Sequence, residues 1–456
     1  MSARRLLVIG GDAGGMSAAS QARRRSTPDE LEIVAFERGD YTSFSACGIP
    51  YLVGGLVSDP DDLIARTAEE HRSNGIDLRM RTEVAAIDLG ARAVTVRDVD
   101  SGREVTEPFD DLVIGTGATP FRPPLPGVDA HGVYGVQTLG DGVRLRDDIV
   151  ATSDANGHVV VVGGGYIGLE LAEALHRRGR EVTVVEAGAQ PMHTLDPDMG
   201  ALVAAAIRGL GITLLTDARV DAFETDADGR VRAVVIGDRT IATGTVVLGL
   251  GVKPNVTLAR AAGIAIGPTG GIATSARMAT SDPRVWAAGD CVECHHRVSN
   301  RPVVIALGTH ANKQGRVVGI NVTGGDAAFA GVVGTAVTKI CDYEVARTGL
   351  NEREARDAGF DFTTSTIEAT SRAGYYPGSR PITVKVVAER GTGRLLGAQI
   401  VGREGAAKRI DVLATAIWND MTVEEILQLD LGYAPPFSPV WDPVLTAARQ
   451  SNANSD

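Results

Sequence analysis

Two stretches of the chain repeat one pattern of apolar and small residues. Leu6 to Ile9 is an apolar run that enters Gly10-Gly-Asp-Ala-Gly-Gly15, and Met16 to Arg25 then places small and apolar residues at helical spacing. A second run, Leu31 to Phe36, ends on Glu37. The same order returns as His158 to Val162, Gly163-Gly-Gly165-Tyr-Ile-Gly168, an Ala- and Leu-rich helix through Leu175, and Glu181 to Glu186. Continuous apolar runs suit strands of a parallel sheet buried on both faces, and a glycine turn between strand and helix predicts a βαβ unit. Asp110 to Ala118 and Thr245 to Gly251 are further strands running into glycine turns, as crossings between two such units would, and Thr280 to Asp290 ends another strand on an aspartate. After Asn321 the glycine fingerprints stop, with strands, helices near 352–358 and 404–419, and a Pro-rich tail around Ala434 to Pro439. No other internal period of about 20–50 residues is present, which excludes a solenoid.

This pattern predicts an α/β protein with two doubly wound dinucleotide-binding domains and a C-terminal α+β domain. The expected division is 1–117 for the first part of one nucleotide domain, 118–244 for the other, 245–325 for the return to the first, and 326–456 for the C-terminal domain. A length of 456 residues accommodates roughly three domains of ordinary size.

The fingerprints carry chemistry. Backbone amides at a helix start hold a pyrophosphate, and an acid at the end of the second strand accepts hydrogen bonds from a ribose diol. Gly10, Ala13, Gly14, Gly15 and Glu37 supply these parts in the first unit, with Asp12 standing where the middle glycine of G-x-G-x-x-G belongs. Gly163, Gly165, Tyr166, Ile167, Gly168 and Glu186 supply them in the second. A carboxylate at 186 suits the ribose diol of NAD and repels a 2′-phosphate, so NADH is expected ahead of NADPH. Arg177, Arg178 and Arg180 nearby leave room for NADPH.

Charge and cysteine usage narrow the setting. A net charge of -12 offers no basic surface, which argues against nucleic acid and anionic membranes as partners, and Arg23-Arg24-Arg25 reads as a solvated helix face. No apolar run reaches the roughly 18 residues of a membrane helix, and Met1 to Gly10 reads as a strand rather than a signal segment. Four cysteines make no disulfide framework in a chain of this size, so a reducing, cytoplasmic setting is expected.

One cysteine stands out. Cys47 lies in Tyr41-Thr-Ser-Phe-Ser-Ala-Cys-Gly-Ile-Pro-Tyr51, with no second cysteine within a turn or two. A thiolate attacks disulfides and oxidises readily, and two nucleotide sites in the same chain could deliver electrons to it. Cys291-Val-Glu-Cys294-His295-His296 has metal-like spacing but lacks a second ligand pair, so no metal is expected, and Cys341 reads as core or interface.

Taken together, these residues resemble the FAD-dependent pyridine nucleotide-disulfide oxidoreductases over essentially the whole chain. The resemblance implies that the first fingerprint binds FAD, that Gly289-Asp290 contacts the flavin's ribityl chain, and that the second fingerprint binds the nicotinamide cofactor. The glycine turns at Gly117 and Gly251 join the cofactor contacts, with Tyr166 as a mobile cover and Glu170 near the nicotinamide. Members with a redox dithiol carry C-x4-C and a C-terminal His-Glu base. Here position 52 is Leu52, and the last histidine is His310.

The single-cysteine branch is the better match, with its coenzyme A-disulfide reductases, NADH oxidases and peroxidases, and persulfide reductases. Its oxidases and peroxidases place a histidine in the first glycine loop, where this chain has Ala13. The resemblance therefore implies hydride transfer through FAD to Cys47, which reduces a small disulfide or persulfide. Tyr433 and Tyr375 match two tyrosines that reach the sulfur from the partner subunit, and Gln21, Arg24 and Ser43 match coenzyme A contacts, although Ala46 replaces the asparagine expected before the cysteine. A homodimer with shared active sites follows, and Cys47 is expected to have a lowered pKa. The alternatives are an NADH oxidase or peroxidase working through a cysteine sulfenic acid, and a flavoprotein electron-transfer reductase or redox sensor.

Overall fold

The structure is a computed structural model that describes residues 3–151 and 157–453. Its first sheet has five parallel strands, in the order Val285–Ala287, Asp111–Ile114, Arg4–Ile9, Leu31–Phe36 and Asp77–Arg79. A second five-stranded parallel sheet runs Thr213–Leu215, Glu181–Val185, His158–Val162, Thr245–Leu248 and Val133–Gly135. In both, the strand before the glycine fingerprint is central, and its apolar residues are sealed: Leu6, Leu7, Val8, Val160 and Val161 are all 0% exposed. Each sheet is supplemented by a three-stranded antiparallel meander, Thr82–Asp88 to Glu104–Pro108 in the first unit and Ala222–Thr225 to Arg239–Ala242 in the second.

The two units are joined by a short antiparallel ribbon, Ala118–Pro120 against Val252–Pro254. This corrects the expected boundary at 244. Thr245–Leu248 is still part of the second sheet, pairing with His158–Val162, and the chain returns to the first unit only after it. The glycine turn that follows the strand, not the strand itself, is the crossing.

Small residues set how closely helices approach. Helix Gly308–Val322 lies on helix Ala13–Arg23, and a Cβ on Gly315 would stand 2.3 Å from the Gly14 carbonyl oxygen. The C-terminal region is a five-stranded antiparallel sheet, in the order Ala336–Ile340, Tyr343–Gly349, Leu395–Gly402, Pro381–Glu389 and Phe362–Thr370. Helix Glu352–Ala358 falls where expected, whereas the helix expected near 404–419 begins only at Ile410, after the short 3-10 turn Ala407–Arg409.

The C-terminal sheet is fastened to the second nucleotide unit by a buried charge cluster. Lys385, 3% exposed, reaches Asp196 at 3.2 Å, Asp198 at 2.8 Å and Glu352 at 2.6 Å, while Gln399 Nε2 donates to Asp196 at 2.6 Å. One cation surrounded by three acids keeps its charge in the interior because the acids replace the water it loses.

Candidate active site

The two nucleotide cradles are near copies. Gly10 and Gly163 both have φ +103, and a Cβ would strike the carbonyl oxygen of Gly115 at 2.1 Å or of Gly249 at 2.4 Å, so only glycine fits either turn. At the last fingerprint glycine of each, Gly15 and Gly168, an added Cβ would stand 2.0 Å from the Gly10 or Gly163 carbonyl oxygen, so only glycine lets the helix pack this close to the turn. Glu37 accepts from the Gly11 amide at 2.8 Å and the Gly39 amide at 2.7 Å, and Glu186 accepts from Gly164 at 2.8 Å and Gly188 at 2.7 Å. Each acid is thus aimed by two backbone amides. Gly14 faces Gly289, where a Cβ would lie 2.9 Å from the Ala288 carbonyl oxygen, and Gly289 itself has φ +91. Its amide donates to Gln314 at 2.8 Å. Such tight glycine walls beside helix starts fit dinucleotides in both units.

The three arginines beside Glu186 are occupied elsewhere. Arg177 lies 3.7 Å from Glu173, Arg178 Nε donates to the Val53 carbonyl at 2.9 Å, and Arg180 donates to the Ile149 carbonyl.

Cys47 sits in the short 3-10 turn Ala46–Gly48, which runs into helix Ile49–Gly54. The helix is anchored on the second nucleotide unit: Ile49, Leu52 and Val53 pack with Leu169, Leu171 and Leu175, and Arg178 holds its C-terminal end. Leu52, where a dithiol enzyme would carry its second sulfur, is 0% exposed. Cys47 is exposed. The lowered pKa expected of it is not what the protein's side chains produce. Crowding by surrounding protein raises the thiol, and the negative charges of Glu170 and Asp290 raise it further. Those two acids bracket the sulfur electrostatically, one from each nucleotide unit. Burial pushes Asp290 up to about 6 and also raises Glu170, whose Oε1 accepts from Thr338 at 2.7 Å.

Ser43 is held in the left-handed region at φ +48 by three bonds: its amide to the Gly11 carbonyl at 3.2 Å, its carbonyl from the Ala65 amide at 2.9 Å, and its Oγ with His71 Nε2 at 2.9 Å. His71 is 2% exposed, and burial pushes it down to about 4, so it is neutral at pH 7. The Cβ of Gln21 lies against Gly319 of helix Gly308–Val322, while Arg24 is exposed at the end of its helix. Tyr166 buries its hydroxyl without a partner, close to Thr194. Cys291 and Cys294 turn their sulfurs to different backbone carbonyls, Ala288 and Val303 respectively.

A sequence profile described as pyridine nucleotide-disulphide oxidoreductase matches residues 4–315, and the dimerisation domain of the same proteins matches residues 335–443. The chain belongs to this family. A NAD(P)H coenzyme A polysulfide/persulfide reductase of Pyrococcus horikoshii is 38% identical over 451 residues, covering 98% of this chain and 98% of its own. An NADH oxidase of Methanocaldococcus jannaschii is 35% identical over 452 residues, again covering 98% of each. The structure of a NAD-dependent persulfide reductase from A. fulgidus matches with a TM-score of 0.94 at 39% identity, covering 99% of this chain and 83% of that one.

This disulphide oxidoreductase therefore belongs with enzymes that are FAD-dependent and use NAD(P)H. Among the described residues, no helix is long and apolar enough to cross a membrane. Tyr375 and Tyr433 are neighbours on the surface, 79% and 50% exposed, and partial burial together with Tyr375 raises the Tyr433 hydroxyl. Sequence reasoning gave no role to Tyr51, which feels the charges of Glu170, Glu173 and Cys47. It also missed His71, Gln314 and Thr338. Tyr51 was in the quoted cysteine segment; the other three meet their partners only through the fold.

Proposed function

We propose that this enzyme spends NADH to reduce a small disulfide or persulfide of the coenzyme A type, with Cys47 as its only working sulfur. The observation that carries this reading is an exposed thiol between two cradles, followed by a buried Leu52 where a second redox sulfur would stand. The names of the relatives support the sulfur substrate, and Ala13 in place of a histidine argues against peroxide chemistry.

The Cys47 thiolate attacks one sulfur of the substrate disulfide. A Cys47–S–S–R bond forms as the substrate S–S bond breaks, and the departing thiolate takes a proton from Tyr433, with Tyr375 beside it. FAD and NADH, when bound, would supply the two electrons that reopen the mixed disulfide, returning Cys47 as thiolate; the second thiolate leaves as thiol with one proton and another restores Tyr433, one of the two coming from NADH oxidation and one from solvent. Ser43, Gln21 and Arg24 hold the substrate's polar portion. Glu37 and Glu186 hold the two ribose diols, and Gly10, Ala13, Gly14, Gly15, Gly117, Gly163, Gly165, Gly168, Gly251 and Gly289 let the backbone approach the cofactors. Ile167 and Tyr166 cover the nicotinamide site beside Glu170, and Asp290 meets the ribityl chain. Tyr433 acts from a second copy of the chain: it and Tyr375 are exposed on the region that matches the dimerisation domain. Four free thiols accord with a reducing, cytoplasmic setting.

The test compares kcat/KM for coenzyme A disulfide, coenzyme A persulfide, polysulfide, peroxide and oxygen. The sulfur acceptors should lead. Cys47→Ser should keep FAD and its reduction by NADH but lose sulfur turnover, and Tyr433→Phe should slow it by about 10²-fold, as loss of a general acid does. Oxygen or peroxide as the best acceptor would make the enzyme an oxidase or peroxidase instead.

A further inference from the structure

Asp12 occupies the one glycine position of the G-x-G-x-x-G fingerprint that the first cradle fills with another residue. The middle glycine of a dinucleotide fingerprint lets the backbone approach the pyrophosphate, so a side chain there stands against the phosphates. Gly165 keeps that glycine in the second unit. Both residues precede their helix with extended backbone, Asp12 at φ -123 and ψ -160 and Gly165 at φ -82 and ψ -173, so the two cradles differ here by a carboxyl group rather than by chain path. An aspartate at a helix start ordinarily accepts from amides of the first turn. Asp12 makes no such capping bond, and its Oδ1 is buried with no partner. The charged groups facing it are Glu37, at the end of strand Leu31–Phe36, and Asp290, after strand Val285–Ala287; both are acids.

An ionised Asp12 would be a third carboxylate beside these two, and FAD adds the negative charge of its pyrophosphate. A neutral carboxyl reverses the situation, since its O–H is a donor and phosphate oxygens accept. We propose that Asp12 is the proton-holding contact of the FAD site: it is protonated in the complex, donates its O–H to the pyrophosphate, and takes up one proton from solvent when FAD binds. Burial, then the charge of Glu37, push the Asp12 carboxyl up to about 7 against the pull of the Ala13 and Phe44 amides, with Asp290 adding to the rise. The unbound site is therefore about half protonated near neutral pH, and the phosphates shift it further toward the neutral form.

FAD retention then depends on pH through one residue. Below about pH 7 Asp12 already carries its proton and the Kd is flat; above it, each unit of pH weakens FAD by a factor approaching about ten, because one proton must be taken up. The experiment titrates FAD into the full chain stripped of flavin, read by flavin fluorescence between pH 6 and 9, with calorimetry at pH 8 in two buffers of different ionisation enthalpy. The native protein should show the rising Kd and uptake of about one proton. Asp12→Asn and Asp12→Gly should flatten the slope above pH 7 and abolish the uptake. Asp290, pushed to about 6, remains in both variants and titrates below that window. Should Asp12→Asn fail to fold, Asp12→Gly restores the fingerprint glycine, and native calorimetry decides alone. A pH-independent native Kd, absence of proton uptake, or a slope that survives in both variants overturns the proposal. A chain that bound no FAD at any pH would instead contradict its family's cofactor.

Discussion

Glu186 has both carboxylate oxygens fixed by the amides of Gly164 and Gly188 before any nucleotide arrives. A preset acid costs no reorganisation to receive a ribose diol, and it confronts a 2′-phosphate with charge that cannot swing aside. Because Arg177, Arg178 and Arg180 are held by Glu173, Val53 and Ile149, no cation among these three is turned toward that phosphate. The native enzyme should prefer NADH, and Glu186→Ala should narrow the ratio of kcat/KM for NADH over NADPH by about tenfold or more, the worth of one charge-assisted hydrogen bond. Equal use of the two coenzymes by the native protein would contradict this role. Glu186, Glu37 and Cys47 were legible because each stands at a fixed offset from a local motif. His71 was not: its bond to Ser43 spans 28 residues, and nothing near His71 in sequence announces it. The pKa of Cys47 was misjudged for the same reason, since Glu170 reaches it from a helix more than a hundred residues away in the chain.

At the scale of elements, continuous apolar runs and glycine turns sufficed for the central strands of both parallel sheets and for the helices that follow them. The antiparallel meanders were invisible, because strands such as Glu104–Pro108 are mostly exposed and carry no fingerprint. The misplaced boundary at Thr245 has a similar origin: a buried apolar strand reads the same whichever sheet it joins, and only pairing decides. The C-terminal loops form one exposed surface. The Ala373 amide donates to the Pro435 carbonyl, Arg409 ties Ser371 to Phe437, and this joined surface presents Tyr375, Tyr433 and Phe437 to solvent. Exposed aromatic groups in one patch mark a protein contact. If a second chain completes the site, mixing Cys47→Ser chains with Tyr433→Phe chains should recover activity, because each hybrid dimer then holds one intact Cys47–Tyr433 pair. About a quarter of native activity is expected from random pairing. No recovery above the average of the two parents would place the tyrosine in its own chain or remove it from the reaction, and Tyr51 would then be the nearer hydroxyl.

As a whole, the molecule places one sulfur between two nucleotide cradles of like build, the first of which carries Asp12 where the second keeps Gly165. The cysteine's helix is built into the core of the second unit through Ile49, Leu52 and Val53, while the acids that surround its sulfur come from both units. The C-terminal sheet is locked to the same second unit through Lys385. The second cradle, the helix that follows Cys47 and the dimerisation region are thereby tied to one body. The claim on which all of this depends is that Cys47 itself forms the bond to substrate sulfur. The direct measurement is the intact mass of the protein, denatured without reductant, after anaerobic incubation with coenzyme A disulfide and then with NADH. One coenzyme A adduct should appear, map to Cys47, disappear on addition of NADH with release of the thiol, and be absent from Cys47→Ser. An adduct that maps to Cys291, Cys294 or Cys341, or one on Cys47 that NADH leaves in place, would contradict the account.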